Sequence, residues 1–206
     1  PEAIMADYVL TENGGLHTGS SDNPYIGINV GEKGVAWRKI RVKGTPGHGS
    51  APFKTDNALV RAAAVVQRLA DYRPPAKFHE LWRQQVDILD VDQETKETML
   101  DANRIEDWLD DHPVEGLARH FYSCTHTTFS PNVVESSRRM KTNVIPDQLD
   151  INVDIRTLPG ESTAEVQAHL DEALGDLAGQ VDVEIIMNDP ASISQMDNPM
   201  WDTIQK

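Results

Sequence analysis

The strongest constraint on what this chain can fold into is a run of strict alternation between apolar and polar residues. In the segment 149–156, LDINVDIR, four aliphatic residues alternate with four polar ones. Because successive side chains of a β-strand point to opposite faces, this pattern predicts a strand with one face buried and the other in solvent. Such one-sided strands are typical of antiparallel sheets. The segment therefore favours an antiparallel sheet that carries its helices on a single face.

Three other segments are predicted to be strands of the same sheet. Residues 34–43, 127–135 and 181–186 combine β-branched residues with alternation of apolar and polar positions. In residues 34–43 the polar positions are mainly basic, and we expect these side chains on the solvent face.

Two helices are predicted between these strands. The first begins after a cap at Thr55 or Asp56, follows an i, i+3, i+4, i+7 apolar spacing and ends before Pro74. The second begins with a capping box in which Ser162 is followed three residues later by Glu165, and it ends near a glycine at 179.

Residues of about 74–125 are helical in character but highly charged, which predicts an inserted helical subdomain with a solvated surface. The order along the chain is then strand, helix, insertion, strand, strand, helix, strand. We therefore predict an α+β fold, a ferredoxin-like β-α-β-β-α-β sandwich with a helical insertion. Its antiparallel sheet has four strands, and its two helices lie on one face.

Composition excludes several classes of protein. The 206 residues carry 19 basic and 33 acidic side chains, a formal net charge of −14, which argues against binding to nucleic acid. No run approaches the ~18 apolar residues that a membrane span requires. The single cysteine, Cys124, excludes an intrachain disulfide framework and a multi-cysteine zinc site, and it favours a cytoplasmic protein.

Four residues are candidates for chemistry, each with a plainer alternative. His48 lies between glycines in GTPGHGS, where it could meet a ligand or be a solvated loop residue. Arg156 ends the alternating strand and could clamp a carboxylate or be an ordinary surface arginine. Asn143 could be a simple turn residue, and Glu12 could be a metal ligand or an exposed carboxylate. Taken singly, none of these residues decides the function.

Three segments in a fixed order carry a family resemblance: ADYVLTENGG, GTPGHGSAPFKTDNAL and TNVIPDQLDINVDIRTLPG. Together they resemble the di-zinc metallopeptidase family of aminoacylase, acetylornithine deacetylase, succinyl-diaminopimelate desuccinylase and glutamate carboxypeptidase. In that family a G-x-x-G-H-[AGS]-[AS] loop follows the first strand of the lid. An N-V-I-P segment then leads into an alternating strand that ends in D-x-R. The resemblance covers nearly the whole chain except the insertion.

This resemblance implies the lid, or dimerisation domain, of a zinc-dependent exopeptidase or amidohydrolase. Such an enzyme cleaves an amide bond next to a free carboxylate in a small peptide or an N-acyl amino acid. Glu12 would ligate one of two zinc ions, and His48 would reach across a homodimer to polarise the scissile carbonyl. Asn143 and Arg156 would hold the substrate, with Arg156 binding its carboxylate.

The resemblance also divides the chain. Residues 1–33 would be a flank of the catalytic domain, residues 34–190 the lid, and residues 191–206 the return into the catalytic domain. The family's other metal ligands and its general base have no counterpart in this sequence, so the isolated chain is expected to be inactive and not to bind zinc. The alternative is a stand-alone association module with no catalytic role.

Overall fold

The computed structural model describes residues 6–10, 17–20, 22–136 and 139–205. Its strands are β1 His17–Ser20, β2 Asn23–Ile26, β3 Gly31–Glu32, β4 Gly34–Val35, β5 Arg38–Lys43, β6 Gly47–His48, β7 Thr128–Glu135, β8 Val144–Ile145, β9 Gln148–Thr157, β10 Val181–Ile185 and β11 Ser192–Ile193. Its helices are α1 Ala58–Asp71, α2 Glu80–Ile88, α3 Gln93–Met99, α4 Ile105–Asp110, α5 Glu115–Thr125, α6 Thr163–Leu174 and α7 Pro199–Ile204, and a 3-10 segment, Gly175–Gln180, follows α6.

The chain divides into two compact units, and the smaller one consists of residues 1–32 and 192–206. In this unit β1 pairs with β2 and β3 pairs with β11, both antiparallel. The short helix α7 is capped by Asn198, whose side chain accepts a hydrogen bond from the backbone N–H of Trp201 at 3.0 Å.

The larger unit, residues 33–191, is built on one antiparallel sheet in the order β10-β5-β9-β7. β4 pairs with β9 in the register that β5 continues, since Val35 lies opposite Arg156 and Arg38 lies opposite Val153. β4 and β5 thus form one interrupted strand, and the sheet has four strand positions, as predicted. Numbered by position in the β-α-β-β-α-β motif, the order is 4-1-3-2.

The core lies between one face of this sheet and helices α1 and α6. Every second residue of β9 is buried, and the intervening polar residues are partly exposed. The buried set from the sheet and the two helices is Ala36, Ile40, Val42, Ala62, Val65, Leu69, Leu149, Ile151, Val153, Ile155, Val166, Leu170 and Leu174. The α+β prediction is confirmed, with both helices on the apolar face of the sheet.

The ends of the two helices differ from the prediction. α1 is capped by Asn57, whose side chain accepts from the Leu59 N–H at 2.9 Å, rather than by Thr55 or Asp56. The capping box of Ser162 and Glu165 is present at the start of α6. α6 ends at Gly175, which has a positive φ of 55°, four residues before the predicted glycine.

Arg38 is the exception among the basic residues of β5, because its side chain is buried rather than in solvent. Its guanidinium donates to the carbonyl oxygens of Trp37 and Met187 at 3.1 and 3.2 Å, and to the side-chain oxygen of Asn188 at 3.1 Å. These bonds satisfy a charge that would otherwise be costly to bury.

The helical insertion has a hydrophobic core of its own, which the sequence did not predict. Its members come from α2, α3, α4 and α5 and are Trp82, Val86, Met99, Ile105, Leu109 and Phe121. The Trp82 indole N–H also donates to the Met99 carbonyl oxygen at 3.0 Å. The insertion is therefore a packed subdomain, and only its outer surface is solvated.

A buried polar cluster fixes the insertion to the sheet. Glu161, after β9, accepts from Lys77 Nζ at 2.7 Å, from the Leu158 N–H at 2.9 Å and from the Thr127 hydroxyl. The backbone N–H of Lys77 donates to the carbonyl oxygen of Thr125, the last residue of α5, at 2.8 Å. Burial by itself raises the pKa of Glu161, but these hydrogen bonds outweigh it and hold that pKa below its usual value.

Replacing the central core residue of β9 should destabilise the larger unit. Ile151 is 0% exposed, so Ile151→Ala leaves a cavity and should lower the free energy of unfolding by about 2–5 kcal/mol. The matched control is Ile185→Ala on β10, where the side chain is 55% exposed and the expected loss is about 1 kcal/mol or less. Urea unfolding followed by circular dichroism measures both, and equal losses would contradict this account of the core.

The Glu161 cluster should make the free energy of unfolding depend on pH. The pKa of Glu161 is lower in the folded state than its unfolded value of about 4.5. Its contribution to stability is therefore fully present above pH 4.5 and is lost as the pH falls through the folded-state pKa. Glu161→Gln should therefore be less stable at pH 7, by about 1–3 kcal/mol, and should lose less stability than wild type on acidification.

Urea unfolding at pH 7, 5 and 3.5 tests this dependence. The control is Glu115→Gln, an exposed carboxylate paired with Arg119, which should change little at any pH. If Glu161→Gln and wild type lose the same stability between pH 7 and 3.5, the cluster does not have the assigned role.

Candidate functional site

A two-stranded ribbon brings His48 and Asn143 together. β6 pairs with β8, with His48 opposite Val144, and the Gly49 N–H donates to the Asn143 carbonyl oxygen at 2.8 Å. A Cβ atom at position 49 would lie 3.2–3.3 Å from the Asn143 backbone, so glycine permits this close approach. Both His48 and Asn143 are exposed at this end of the larger unit.

The imidazole of His48 is held by the residue two positions later. The Ser50 backbone N–H donates to His48 Nδ1 at 3.2 Å, and the Ser50 hydroxyl oxygen lies 2.7 Å from the same nitrogen. The two bonds orient the ring and leave its Nε2 side facing away from them.

Arg156 is held by a carboxylate on the same face of β9. Asp154 accepts from Arg156 Nε at 2.8 Å and from Nη2 at 3.3 Å, and it also accepts from the Trp37 indole N–H at 2.8 Å. These bonds use two of the five guanidinium N–H groups. Within the described part of the chain Arg156 makes no further hydrogen bond, so one edge of its planar group remains available for a second carboxylate.

The two candidate groups lie at opposite ends of β9. The ribbon of β6 and β8 adjoins the start of β9 at Gln148, whereas Arg156 is the ninth of its ten residues. At about 3.3 Å per residue, these positions on β9 are about 26 Å apart. The structure therefore brings His48 and Asn143 together and places Arg156 far from both.

Lys33 lies near the Arg156 end and is tied to the insertion. Its Nζ donates to the carbonyl oxygens of Ser123 and His126 at 2.8 and 2.6 Å. Burial lowers the pKa of Lys33 to about 8, and the positive charge of Arg156 adds to this lowering against the opposing effects of Cys124 and Glu161. This end of the sheet is accordingly a partly buried, electrostatically coupled region.

A metal centre does not fit the described residues. No group of three or more His, Cys, Asp or Glu side chains among them could hold an ion. Glu12, the predicted zinc ligand, lies outside the described residues.

The helices in the described part of the chain include no candidate for a membrane span.

Sequence reasoning missed Ser50, Asp154 and Trp37. Ser50 and Asp154 are each two positions from a candidate residue, a spacing that was visible in G-H-G-S and in D-x-R. Trp37 lies opposite Asp154 only because β4 and β5 pair with β9, so no local signal identifies it.

Comparison with known proteins identifies the fold. A family model described as a peptidase dimerisation domain matches residues 30–182. Among solved structures, a metallo-carboxypeptidase of Sulfolobus solfataricus aligns with TM-score 0.54 and 15% identity over 85% of this chain and 48% of its own. Human carnosine dipeptidase 1 aligns with TM-score 0.53 and 14% identity over 84% of this chain and 40% of its own.

The dipeptidase Dug1p of Saccharomyces cerevisiae aligns similarly, with TM-score 0.51 and 16% identity over 84% of this chain and 39% of its own. A comparison with curated protein sequences gives no match. The chain thus spans less than half the length of these three structures, and at such identities they show the fold. Because the family model covers most of the chain, the predicted resemblance is confirmed: this chain belongs to the M20 peptidase dimerisation domain family.

Proposed function

We propose that this chain is the lid and dimerisation unit of a cytoplasmic, zinc-dependent hydrolase. The enzyme would cleave an amide bond next to a free carboxylate in a small peptide or an N-acyl amino acid. The family match supports the assignment, as do structural neighbours named as dipeptidases and a carboxypeptidase. The zinc ions would be held by residues other than those described, so the roles below are limited to binding and polarising the substrate.

The separation of the candidate residues along β9 carries the proposal. A dipeptide-sized substrate cannot bridge the about 26 Å between the two ends of β9, so one chain cannot bring the ribbon and Arg156 to the same substrate. A symmetric dimer can, because each active site then takes the ribbon from one protomer and Arg156 from the other. Every site is incomplete in the monomer, which explains why an enzyme would carry a dimerisation domain next to its catalytic part.

The ribbon would act on the scissile carbonyl. With Nδ1 accepting from Ser50, His48 can donate its Nε2–H to the carbonyl oxygen and to the oxyanion that develops from it. The Asn143 side chain lies on the same ribbon and can donate an amide N–H to the substrate. Losing one donor to an oxyanion typically costs about 3–4 kcal/mol in the transition state.

Arg156 would bind the free carboxylate of the substrate. Asp154 holds the guanidinium by Nε and Nη2 and thereby fixes its plane. The remaining edge presents two parallel N–H groups, which match the two oxygens of a carboxylate. Lysine cannot replace this geometry because its ammonium group lacks the planar fork.

We assign the homodimer interface to α1 and the outer edge of β7. α1 packs over β7 and β9, and its outward side exposes Leu59 and Val60, 48% and 68%. β7 pairs with β9 alone among the described strands, and it exposes Val133 and Val134 beyond Pro131. An unpaired strand edge beside an apolar helix surface is suited to a second copy of the same unit.

The opposite edge of the sheet is less suitable for association. There β10 exposes Asp182 and Glu184, and the neighbouring helix α6 exposes polar residues such as Gln167 and Asp171. A second copy covering this edge would have to displace or desolvate the ion pairs that Asp182 and Glu184 make with Lys43 and Arg41, at 2.6 and 3.5 Å.

A charge placed on the α1 surface should weaken the dimer. Val60→Lys introduces two lysines at a symmetric interface and should raise the dissociation constant about tenfold or more, without loss of folding. The matched control, Ile185→Lys, changes another exposed aliphatic residue, 55% against 68%, on the β10 edge and should leave the dimer intact. Because each protomer carries a net charge of −14, the wild-type dimer should also strengthen with salt.

Sedimentation equilibrium at two salt concentrations measures these constants. Weakening by Ile185→Lys but not by Val60→Lys would move the interface to the other edge. A wild-type chain that stays monomeric at high concentration and moderate salt would refute the dimer proposal.

Complementation between inactive variants tests the shared active site in the full-length enzyme. His48→Ala and Arg156→Ala should each lower kcat/KM by about 10²–10³, with His48 acting mainly on kcat and Arg156 mainly on KM. After subunit exchange, half of the dimers are hybrids and one of the two sites in each hybrid has both residues intact. The mixture should therefore recover about a quarter of wild-type activity.

The matched control mixes His48→Ala with Asn143→Ala. Both residues lie on the same ribbon, so every site of the hybrid lacks one of them and no activity should return. If exchange is verified by mass and the first mixture stays inactive, the shared site is wrong. If none of the single variants loses activity, the residues have no role in catalysis, as the association-module alternative requires.

A further inference from the structure

We propose that Ser50 is a positioning residue that fixes the tautomer of His48, so that the ring proton is carried by Nε2. The catalytic consequence of this inference rests on the proposed function. The tautomer itself is a property of this chain and can be measured without any enzyme activity.

Two groups of Ser50 converge on one nitrogen of the imidazole. The backbone N–H lies 3.2 Å from His48 Nδ1, and the hydroxyl oxygen lies 2.7 Å from it. A backbone N–H can only donate, so Nδ1 must offer its lone pair. In a neutral imidazole one nitrogen accepts and the other carries the proton, which assigns the proton to Nε2.

The hydroxyl strengthens this arrangement. Its proton can rotate toward Nδ1, and the short 2.7 Å separation makes it the closer of the two contacts. Donation to Nδ1 polarises the ring and makes the Nε2–H a better hydrogen-bond donor. The opposite tautomer would direct the Nδ1 proton at the Ser50 N–H, leaving two donors facing each other.

The Nε2 side of the ring remains available. In the described part of the chain Nε2 of His48 has no hydrogen-bond partner, and the side chain is exposed at the end of the ribbon. Ser50 thus engages one nitrogen and presents the other to a carbonyl oxygen brought by the substrate. This division of roles is what a donor to an oxyanion needs.

The chain contains a natural comparison in His112. His112 Nδ1 lies 3.1 Å both from the Val114 N–H and from the Val114 carbonyl oxygen, so a donor and an acceptor compete for one nitrogen. Among the described residues, His48 Nδ1 contacts only the two groups of Ser50, and neither is a carbonyl oxygen. The contact with Ser50 therefore assigns a tautomer at His48 that the contacts of His112 do not assign.

Nitrogen-15 NMR of the histidine rings in this chain tests the tautomer directly, at a pH of about 8.5 where histidines are neutral. The His48 signals, assigned from their loss in His48→Gln, should show Nε2 protonated and Nδ1 as a hydrogen-bonded acceptor. In Ser50→Ala the Nδ1 resonance should move toward that of an acceptor nitrogen with a weaker hydrogen bond, because the hydroxyl donor is lost, and Ser50→Thr should retain the wild-type position.

Thr55→Ala is the matched control for disturbance of the loop. The Thr55 hydroxyl donates to the Pro52 carbonyl oxygen at 2.8 Å in the same loop but does not contact His48. This variant should leave both ring nitrogens of His48 unchanged. A wild-type His48 that carries its proton on Nδ1, or a Ser50→Ala spectrum identical to wild type, would overturn the inference.

Kinetics of the full-length enzyme test the consequence. Ser50→Ala should lower kcat by about three- to tenfold with KM nearly unchanged, Ser50→Thr should restore most of it, and Thr55→Ala should have little effect. If His48→Ala is severely impaired while Ser50→Ala matches wild type, the positioning role fails and the proposed function stands. If His48→Ala itself is fully active, the proposed function fails, whatever the NMR shows.

Discussion

The burial of one face of β9 is the constraint on which the rest of the structure depends. Its four aliphatic residues are almost completely buried, and each contributes about 1.5–3 kcal/mol when removed from water. Strands β5 and β7 pair with it on either side, and α1 and α6 cover its apolar face. A slip of one residue would exchange the buried and solvent faces, so the register is fixed. The positions of the ribbon and of Arg156 are fixed with it, because both are attached to this strand.

The sequence predicted the parts of the fold that depend on local patterns. Alternation identified β9, and the capping box identified the start of α6. The predicted cap of α1 was wrong because Thr55, Asp56 and Asn57 are all residue types that cap helices well. The packing of the helix against the sheet, which the local sequence does not show, selects Asn57. The core of the insertion was missed because α2 to α5 are only 6–11 residues long. Each contributes too few buried residues to show a helical period.

The candidate site could be predicted only in part, for a related reason. Motifs identified His48, Asn143 and Arg156, but they gave no sign that Arg156 lies at the other end of β9 from the ribbon. The proximity of His48 to Asn143 depends on β6 and β8, which have two residues each and no periodicity. The hydrogen bonds of Ser50 and Asp154 depend on side-chain geometry that spacing alone does not determine. The sequence therefore identified the three candidate residues, and the structure showed that they lie at two different ends of β9.

The two ends of β9 are also supported differently. At the Arg156 end, Asp154 holds the guanidinium and itself accepts from the Trp37 indole N–H, and the partly buried Lys33 ties the neighbouring insertion in place. At the other end, His48 stands on an exposed ribbon of two-residue strands, where Ser50 orients its ring. On the proposed function, the firmly held end binds the charged group of the substrate, which needs a fixed fork. On the same proposal, the exposed end acts only when it meets the active site of a second protomer, so catalysis would depend on association.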